Sequence, residues 1–185
     1  FFLLKMTEPT VFNFFKKYYK SDITEDELKD ITELNLSENS IENLPENVFE
    51  ECINLRTLNL SITDLVSLNF AIFKNCVNLH TLNLSLNDLT NLDSSLLENC
   101  VNLRTLNLSF NELVELPSSL LENCVNLDTL ELHFTELKNI DPTLLKNCVN
   151  LTSLNLSNNN LTVLEPEVFE NLINLTVLDL SNNNL

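Results

Sequence analysis

The 185-residue sequence contains no glycine. Phosphate-cradling loops and dinucleotide-binding fingerprints need glycine where the backbone approaches the ligand, so the sequence excludes both. Turns that require a positive φ must use other residues. We expect Asn or Asp at those positions, because their side chains tolerate the left-handed conformation best.

Basic residues are scarce. The chain has 10 Lys and Arg against 27 Asp and Glu, which gives a formal net charge of −17. Such a surface repels phosphate backbones and anionic membranes, so nucleic acid is not an expected partner. No apolar run approaches the ~20 residues of a membrane-spanning helix, and no membrane span is predicted.

A period of 24 residues runs through the chain from Ile31. Each unit is called a coil here, and places within it are numbered from 1 to 24. The coils are 31–54, 55–78, 79–102, 103–126, 127–150 and 151–174, with a partial seventh at 175–185. Apolar residues fall at places 1, 4, 6, 11, 14, 18, 19, 22 and 23 of all six complete coils. Places 4 and 6 predict a short strand with one buried face, and stacked coils would share one core.

This pattern resembles the leucine-rich repeat of the 24-residue "typical" type, written LxxLxLxxNxLxxLPxxxFxxLxx, over residues 31–185. The resemblance implies an α/β repeat solenoid. It would be a curved leucine-rich-repeat arc with a parallel sheet on the concave face and short helical or irregular segments on the convex face. Place 9 departs from Asn at Thr63 and Thr135. In the family this Asn bonds to turn backbone, and Thr offers only a hydroxyl, so these two turns are expected to be looser or differently paired.

Both ends of the solenoid need a cover. Residues 1–30 are predicted to form an N-terminal helical cap, with Thr24 and Glu27 as a capping box. We expect the aromatic residues between Val11 and Tyr19 to lie on the exposed edge of the first coil; the alternative is a basic amphipathic segment for a partner or a membrane surface. At the other end the pattern stops mid-repeat at Leu185. We expect further chain or another subunit to cover that open edge.

Five cysteines share place 22: Cys52, Cys76, Cys100, Cys124 and Cys148. The sixth coil has Leu172 there, so the slot is apolar and the thiols are predicted to be core residues. Clustered metal ligands such as Cys-x2-Cys are absent, and no metal or cofactor is expected. Unpaired thiols and caps without cysteine favour a cytoplasmic location, with an extracellular one as the alternative.

Nothing in the sequence supports catalysis, and the chain is predicted not to be an enzyme. The two histidines, His80 and His133, lie two coils apart, and the strand face offers no cysteine beside them. Both are interpreted as surface residues. Adjacent acids such as Glu50 and Glu51 are interpreted as solvated groups rather than an acid–base pair.

Place 8 is the most informative column of the strand face. It runs Glu38, Ile62, Leu86, Phe110, Phe134, Asn158 and Asn182. Four consecutive apolar residues with polar neighbours predict one contiguous patch of the kind that marks interaction sites. The same coils carry cationic groups at place 2. The predicted partner-binding residues are Arg56, Ile62, His80, Leu86, Arg104, Phe110 and Phe134. The alternative is that place 8 folds back over the turn and packs locally.

The predicted function is a non-catalytic scaffold that binds a protein partner on its concave face. Phe110 and Phe134 would anchor the partner, while Arg56 and Arg104 would contact its acidic groups. Two alternatives remain open. One is a fragment of a secreted or cell-surface recognition ectodomain of the Toll-like or proteoglycan-like kind, which the family resemblance suggests. The other is the substrate-recognition part of a larger effector enzyme.

Overall fold

The fold is a stack of coils that contribute one short strand each to a single parallel sheet. The computed structural model describes residues 9–185. Helices α1 (Pro9–Tyr18) and α2 (Glu25–Asp30) come first. The strands are β1 (Glu33–Asn35), β2 (Thr57–Asn59), β3 (Thr81–Asn83), β4 (Thr105–Asn107), β5 (Thr129–Glu131), β6 (Ser153–Asn155) and β7 (Val177–Asp179). They pair in sequence order, β1 to β7. The second half of each coil, which leads from one strand back to the next, is called the return side. A 3-10 helix, Pro166–Phe169, lies on the return side of the sixth coil.

The register of the sheet repeats the register of the sequence. Leu34 pairs with Leu58 and Leu58 with Leu82, so residues 24 apart lie side by side. In β2 to β6 the central leucine is buried while its two neighbours are partly exposed. The buried leucines of coils one to six join one continuous core. The predicted leucine-rich-repeat solenoid with a parallel sheet is therefore confirmed.

The cysteines fill that core. All five are free and buried, with no exposed surface. Burial in an apolar environment disfavours the thiolate, and it raises the pKa of both Cys52 and Cys76 to about 12. A thiol that stays protonated and inaccessible is not a nucleophile at neutral pH. The prediction that these residues are core side chains is confirmed.

Helix α1 turns its apolar face toward the first coil. Val11, Phe14 and Phe15 are buried in the same core cluster as the repeat leucines. The predicted capping box opens α2, where the Thr24 N–H donates to Glu27 Oε2 at 2.7 Å. The Glu27 carboxylate also accepts from Lys20 Nζ, and these bonds lower its pKa to about 2.

The first eight residues of the predicted cap, 1–30, lie outside the described residues, and the division into cap and repeats stays a prediction. Within residues 9–185, no helix has the length and apolarity to cross a membrane.

The two coils with Thr at place 9 are differently paired, as predicted, but they are not looser. Thr63 and Thr135 have no exposed surface. The Thr63 N–H donates to Oδ1 of Asn87 in the next coil at 3.0 Å, and the Thr63 hydroxyl lies 2.8 Å from the Leu60 carbonyl oxygen. The asparagine of the next coil thus accepts a backbone N–H of the threonine turn and holds it in place.

Candidate partner-binding surface

Neutral polar side chains cover the middle of the concave sheet face. Place 3 is Thr in β2 to β5, and place 5 is Asn in most strands. The asparagine oxygen accepts the N–H of place 7, as Asn83 Oδ1 does from Ser85 at 3.0 Å. This contact recurs in coils one, two, four and six. The strand ends are therefore fixed, and the two margins of the face carry the distinctive side chains.

At the carboxyl ends of the strands lies a row that we call the apolar array. It consists of Ile62, Leu86, Phe110 and Phe134, one from each of coils two to five. Their exposed fractions are 45%, 47%, 41% and 46%. The rings of Phe110 and Phe134 stack with centroids 4.7 Å apart and planes inclined by 15°. The array is thus a half-exposed apolar strip that runs across the coils.

A ladder of backbone hydrogen bonds sets the conformation of the array. The Leu86 N–H donates to the Ser109 carbonyl oxygen, and the Phe110 N–H donates to that of His133, both at 3.0 Å. Place 8 is left-handed in all seven coils, with φ between 54° and 61°: Glu38, Ile62, Leu86, Phe110, Phe134, Asn158 and Asn182. The left-handed conformation of place 8 is therefore a property of the repeat, whatever the side chain.

The expectation that Asn or Asp would occupy the positive-φ positions is wrong for most of them. Among residues 9–185, only Asp64, Asn158 and Asn182 fit it. Bulky and β-branched residues avoid this region because Cβ approaches the following carbonyl oxygen. The array keeps such residues where coils six and seven use the better-suited asparagine.

His133 lies beside the aromatic end of the array. Its ring meets Phe110 edge-on, with centroids 5.2 Å apart and planes at 83°. Its Nδ1 lies 3.1 Å from Glu131 Oε2 and 3.3 Å from Asn155 Nδ2. His133 is not among the predicted binding residues. The signal that could have found it is the double departure in coil five, where Glu131 replaces Asn at place 5 and His133 replaces Ser at place 7.

The predicted cationic residues form a separate row at the amino ends of the strands. The Arg104 N–H donates to the His80 carbonyl oxygen and the His80 N–H to that of Arg56, both at 2.8 Å, so the three lie on adjacent coils in register. Arg56 and Arg104 are exposed. Among the described residues, no carboxylate lies within 4.0 Å of either guanidinium. The strand separates this row from the array by roughly 15–20 Å.

The described part of the chain contains no group of three or more His, Cys, Asp or Glu residues that could hold a metal ion. Its buried polar side-chain atoms all have hydrogen-bond partners. The distinctive surface features of residues 9–185 are therefore the apolar array and the cationic row.

Comparison with known proteins agrees with this architecture. A family model described as the BspA type leucine-rich repeat region matches residues 26–134, and a second leucine-rich repeat model matches residues 125–185. The chain belongs to the leucine-rich repeat family. No curated protein sequence matches it.

Among solved structures, the chain is similar to two from the Drosophila Toll–Spatzle complex. A chain of its glycosylated form is 28% identical with a TM-score of 0.75, covering 86% of this chain and 25% of that one. The other is 23% identical with a TM-score of 0.58, covering 86% and 28%, and supports the fold alone. This leucine-rich repeat chain spans about a quarter of their length. Family and neighbours together support a protein-interaction scaffold.

Proposed function

We propose that this leucine-rich repeat protein is a non-catalytic scaffold that binds a protein partner through the apolar array. The observation that carries the proposal is the pairing of two features in the same four side chains. Each is 41–47% exposed and each occupies a left-handed backbone position. Neither feature favours an apolar residue for the stability of the free protein.

The left-handed conformation costs an L-amino acid about 1–2 kcal/mol, and more for a β-branched residue such as Ile62. Asn158 and Asn182 hold the same conformation with a side chain that suits it, so the coil itself has no need of an apolar residue. Unfavourable backbone conformations cluster where function requires a particular side chain. Retention of the array over four consecutive coils is what a binding surface predicts.

The rival interpretation, in which place 8 folds back over the turn, predicts buried side chains. Phe110 and Phe134 do stack on one another, yet 41% and 46% of their surface stays open. Large aromatic residues are frequent anchors of protein interfaces. We therefore assign Phe110 and Phe134 as anchors, with Ile62 and Leu86 extending the strip. Arg56, His80 and Arg104 would contact acidic groups of the partner at the opposite margin.

The likeness to chains of the Toll–Spatzle complex supports a second candidate function. In it, these coils belong to a recognition ectodomain, and the array contacts an extracellular protein. The two candidates place the binding surface on the same residues and differ in the location of the protein.

The test replaces the anchors with polar residues in the double variant Phe110→Ser/Phe134→Ser. Its matched control is Val101→Ser/Val125→Ser, which removes two apolar side chains of similar exposure, 42% and 43%, outside the strand face. Proteins captured from source-cell extracts are quantified for wild type and both variants, and each identified partner is retested by calorimetry with purified components. We expect loss of binding in the anchor variant alone, with thermal unfolding midpoints that stay close to wild type.

Equal capture by all three proteins would contradict the proposal. Loss of binding in the valine control would contradict it as well, because the two variants would then act through general surface apolarity.

A further inference from the structure

A row of acidic residues runs beside the apolar array, two residues further along the chain in each coil. Two residues after each array side chain, at place 10, comes a carboxylate: Asp64, Asp88, Glu112 and Glu136. All four are exposed, and the place 9 residue between the two rows is buried. Side chains at places 8 and 10 therefore flank a buried residue, and with one residue between them the two exposed rows run side by side across the coils.

Backbone bonds hold the middle of this row in register. The Asp88 N–H donates to the Leu65 carbonyl oxygen and the Glu112 N–H to that of Leu89, both at 2.9 Å, which joins coils two, three and four at this level. The two carboxylate residues at the ends of the row have a left-handed backbone instead. Like charges about 5 Å apart repel one another. Among the described residues, none places a Lys, Arg or His nitrogen within 4.0 Å of these carboxylates. The row thus presents unneutralised negative charge along one side of the array.

The acidic row and the array have the same limits. Place 10 is Ser40 in coil one, Asn160 in coil six and Asn184 in coil seven, where place 8 is also polar. The overall charge of −17 would not by itself confine acids at this place to coils two to five. Because the apolar array and the acidic row occupy the same four coils, we infer that they form one surface with an apolar and an acidic half.

We propose that the occupant of this surface is a basic amphipathic helix of the partner protein, lying across the coils. Its apolar side chains would lie on the array and its Lys or Arg side chains would face the acidic row. The inference rests on the proposed function and names the chemistry of the partner.

A helix matches the spacing of the rows. The array spans three intervals of about 4.8 Å, roughly 14 Å in all, which is nearly three helical turns. Side chains three or four residues apart on a helix have Cβ atoms about 5–6 Å apart, so one apolar side chain meets each coil. In an extended segment, side chains on the same face recur every ~6.7 Å. That spacing does not match the ~4.8 Å between coils, so such a segment could not place one side chain on each of the four coils.

The test uses the full chain and three fluorescein-labelled helical peptides of about 15 residues. The first carries leucines on one face and lysines beside them. The second has glutamate in place of lysine, and the third has serine in place of leucine. Affinity is measured by fluorescence anisotropy at low and at physiological salt. We expect the leucine–lysine peptide to bind, the leucine–glutamate peptide not to bind, and the serine–lysine peptide to bind at least about tenfold more weakly.

Two charge variants locate the basic side of the peptide. Asp88→Asn/Glu112→Gln neutralises the acidic row in coils three and four. Glu98→Gln/Glu122→Gln makes the same charge change in the same coils, at place 20 on the return side. We expect the first to weaken binding of the leucine–lysine peptide by at least about fivefold at low salt. The control should change it by less than about twofold, because its charges lie far from the array.

The outcomes separate this inference from the proposed function. Failure of the leucine–lysine peptide to bind, equal weakening by both charge variants, or tighter binding of the leucine–glutamate peptide would overturn the basic helix. If the identified partner still depends on Phe110 and Phe134 in that case, the proposed function stands. Peptide binding that survives Phe110→Ser/Phe134→Ser would overturn the inference, because the peptide would then occupy another surface.

Discussion

Two apolar rows run along this solenoid. They are similarly exposed, but they differ in extent and in backbone conformation. The apolar array lies at place 8, and a second row, the valine row, lies at place 23. The valine row consists of Ile53, Val77, Val101, Val125, Val149 and Ile173. Its first five members are 42–45% exposed, against 41–47% for the array. Exposure alone would rank the two rows as equal candidates.

The repeat itself explains the valine row. It is present in every complete coil, and none of its residues has a positive φ. Its carbonyl groups tie the coils together: Asn102 Nδ2 donates to the Val77 carbonyl oxygen and Asn126 Nδ2 to that of Val101, both at 2.9 Å. The array, in contrast, is confined to four coils. Its apolar residues occupy left-handed backbone positions that such residues normally avoid. Apolar residues that break the repeat pattern and occupy an unfavourable backbone conformation therefore indicate a binding surface better than exposed apolar area does.

The largest expected effect comes from the asparagines that support the two rows. Asn87, directly after Leu86, is buried; its Nδ2 donates to the Leu60 and Leu84 carbonyl oxygens, and its Oδ1 accepts the N–H groups of Thr63 and Leu65. Asn87→Ala leaves several buried groups unpaired. We expect the free energy of unfolding to fall by about 3 kcal/mol or more, measured by urea denaturation.

The matched variant on the other row is Asn102→Ala. Asn102 is partly exposed and bonds the single Val77 carbonyl oxygen, which water can reach after the substitution. We expect a loss of about 1 kcal/mol. Equal losses for the two variants would show that the turn beneath the array is no more constrained than the return side, and would remove the contrast between the rows.

A smaller effect of opposite sign is expected at Ile62. In Ile62→Asn, relief of the left-handed conformation, about 1–2 kcal/mol, exceeds the loss of its half-buried contacts, so the free energy of unfolding should rise by about 0.5–1 kcal/mol. Val77→Asn, at an ordinary φ, should lower it, because only contacts are lost. Urea denaturation of both variants checks the signs. A clear loss of stability in Ile62→Asn would mean that the array exists for folding.

Much of this molecule could be predicted from the sequence because one period determines it. The seven strands, the buried leucines and the cysteine slot all follow from residues 24 apart facing the same environment. The position of the array could be predicted in the same way, by comparing place 8 across coils. The capping box of α2 followed from the local pair Thr24 and Glu27.

The backbone conformation of the array could not be predicted from residue type. Composition favours Asn or Asp at positive φ, but the repeat holds place 8 in that conformation in every coil, and Phe110 adopts it as well. Two further features depend on three-dimensional placement. One is the separation of the cationic row from the array by the length of a strand. The other is the edge-on contact between His133 and Phe110.

The smallest expected effect is that of Val101→Thr/Val125→Thr. Threonine keeps the β-branched shape, both side chains are more than 40% exposed, and the Val101 carbonyl group still accepts the Asn126 bond. Surface substitutions of this kind change stability by less than about 0.5 kcal/mol. Affinity for the leucine–lysine peptide should change by less than about twofold, because the valine row presents no acidic flank in register with four apolar side chains. Denaturation and anisotropy measure the two quantities on the same sample. A marked loss of peptide affinity in this variant would mean that exposed apolar rows bind without regard to their neighbours, and that the acidic row of coils two to five does not distinguish the array.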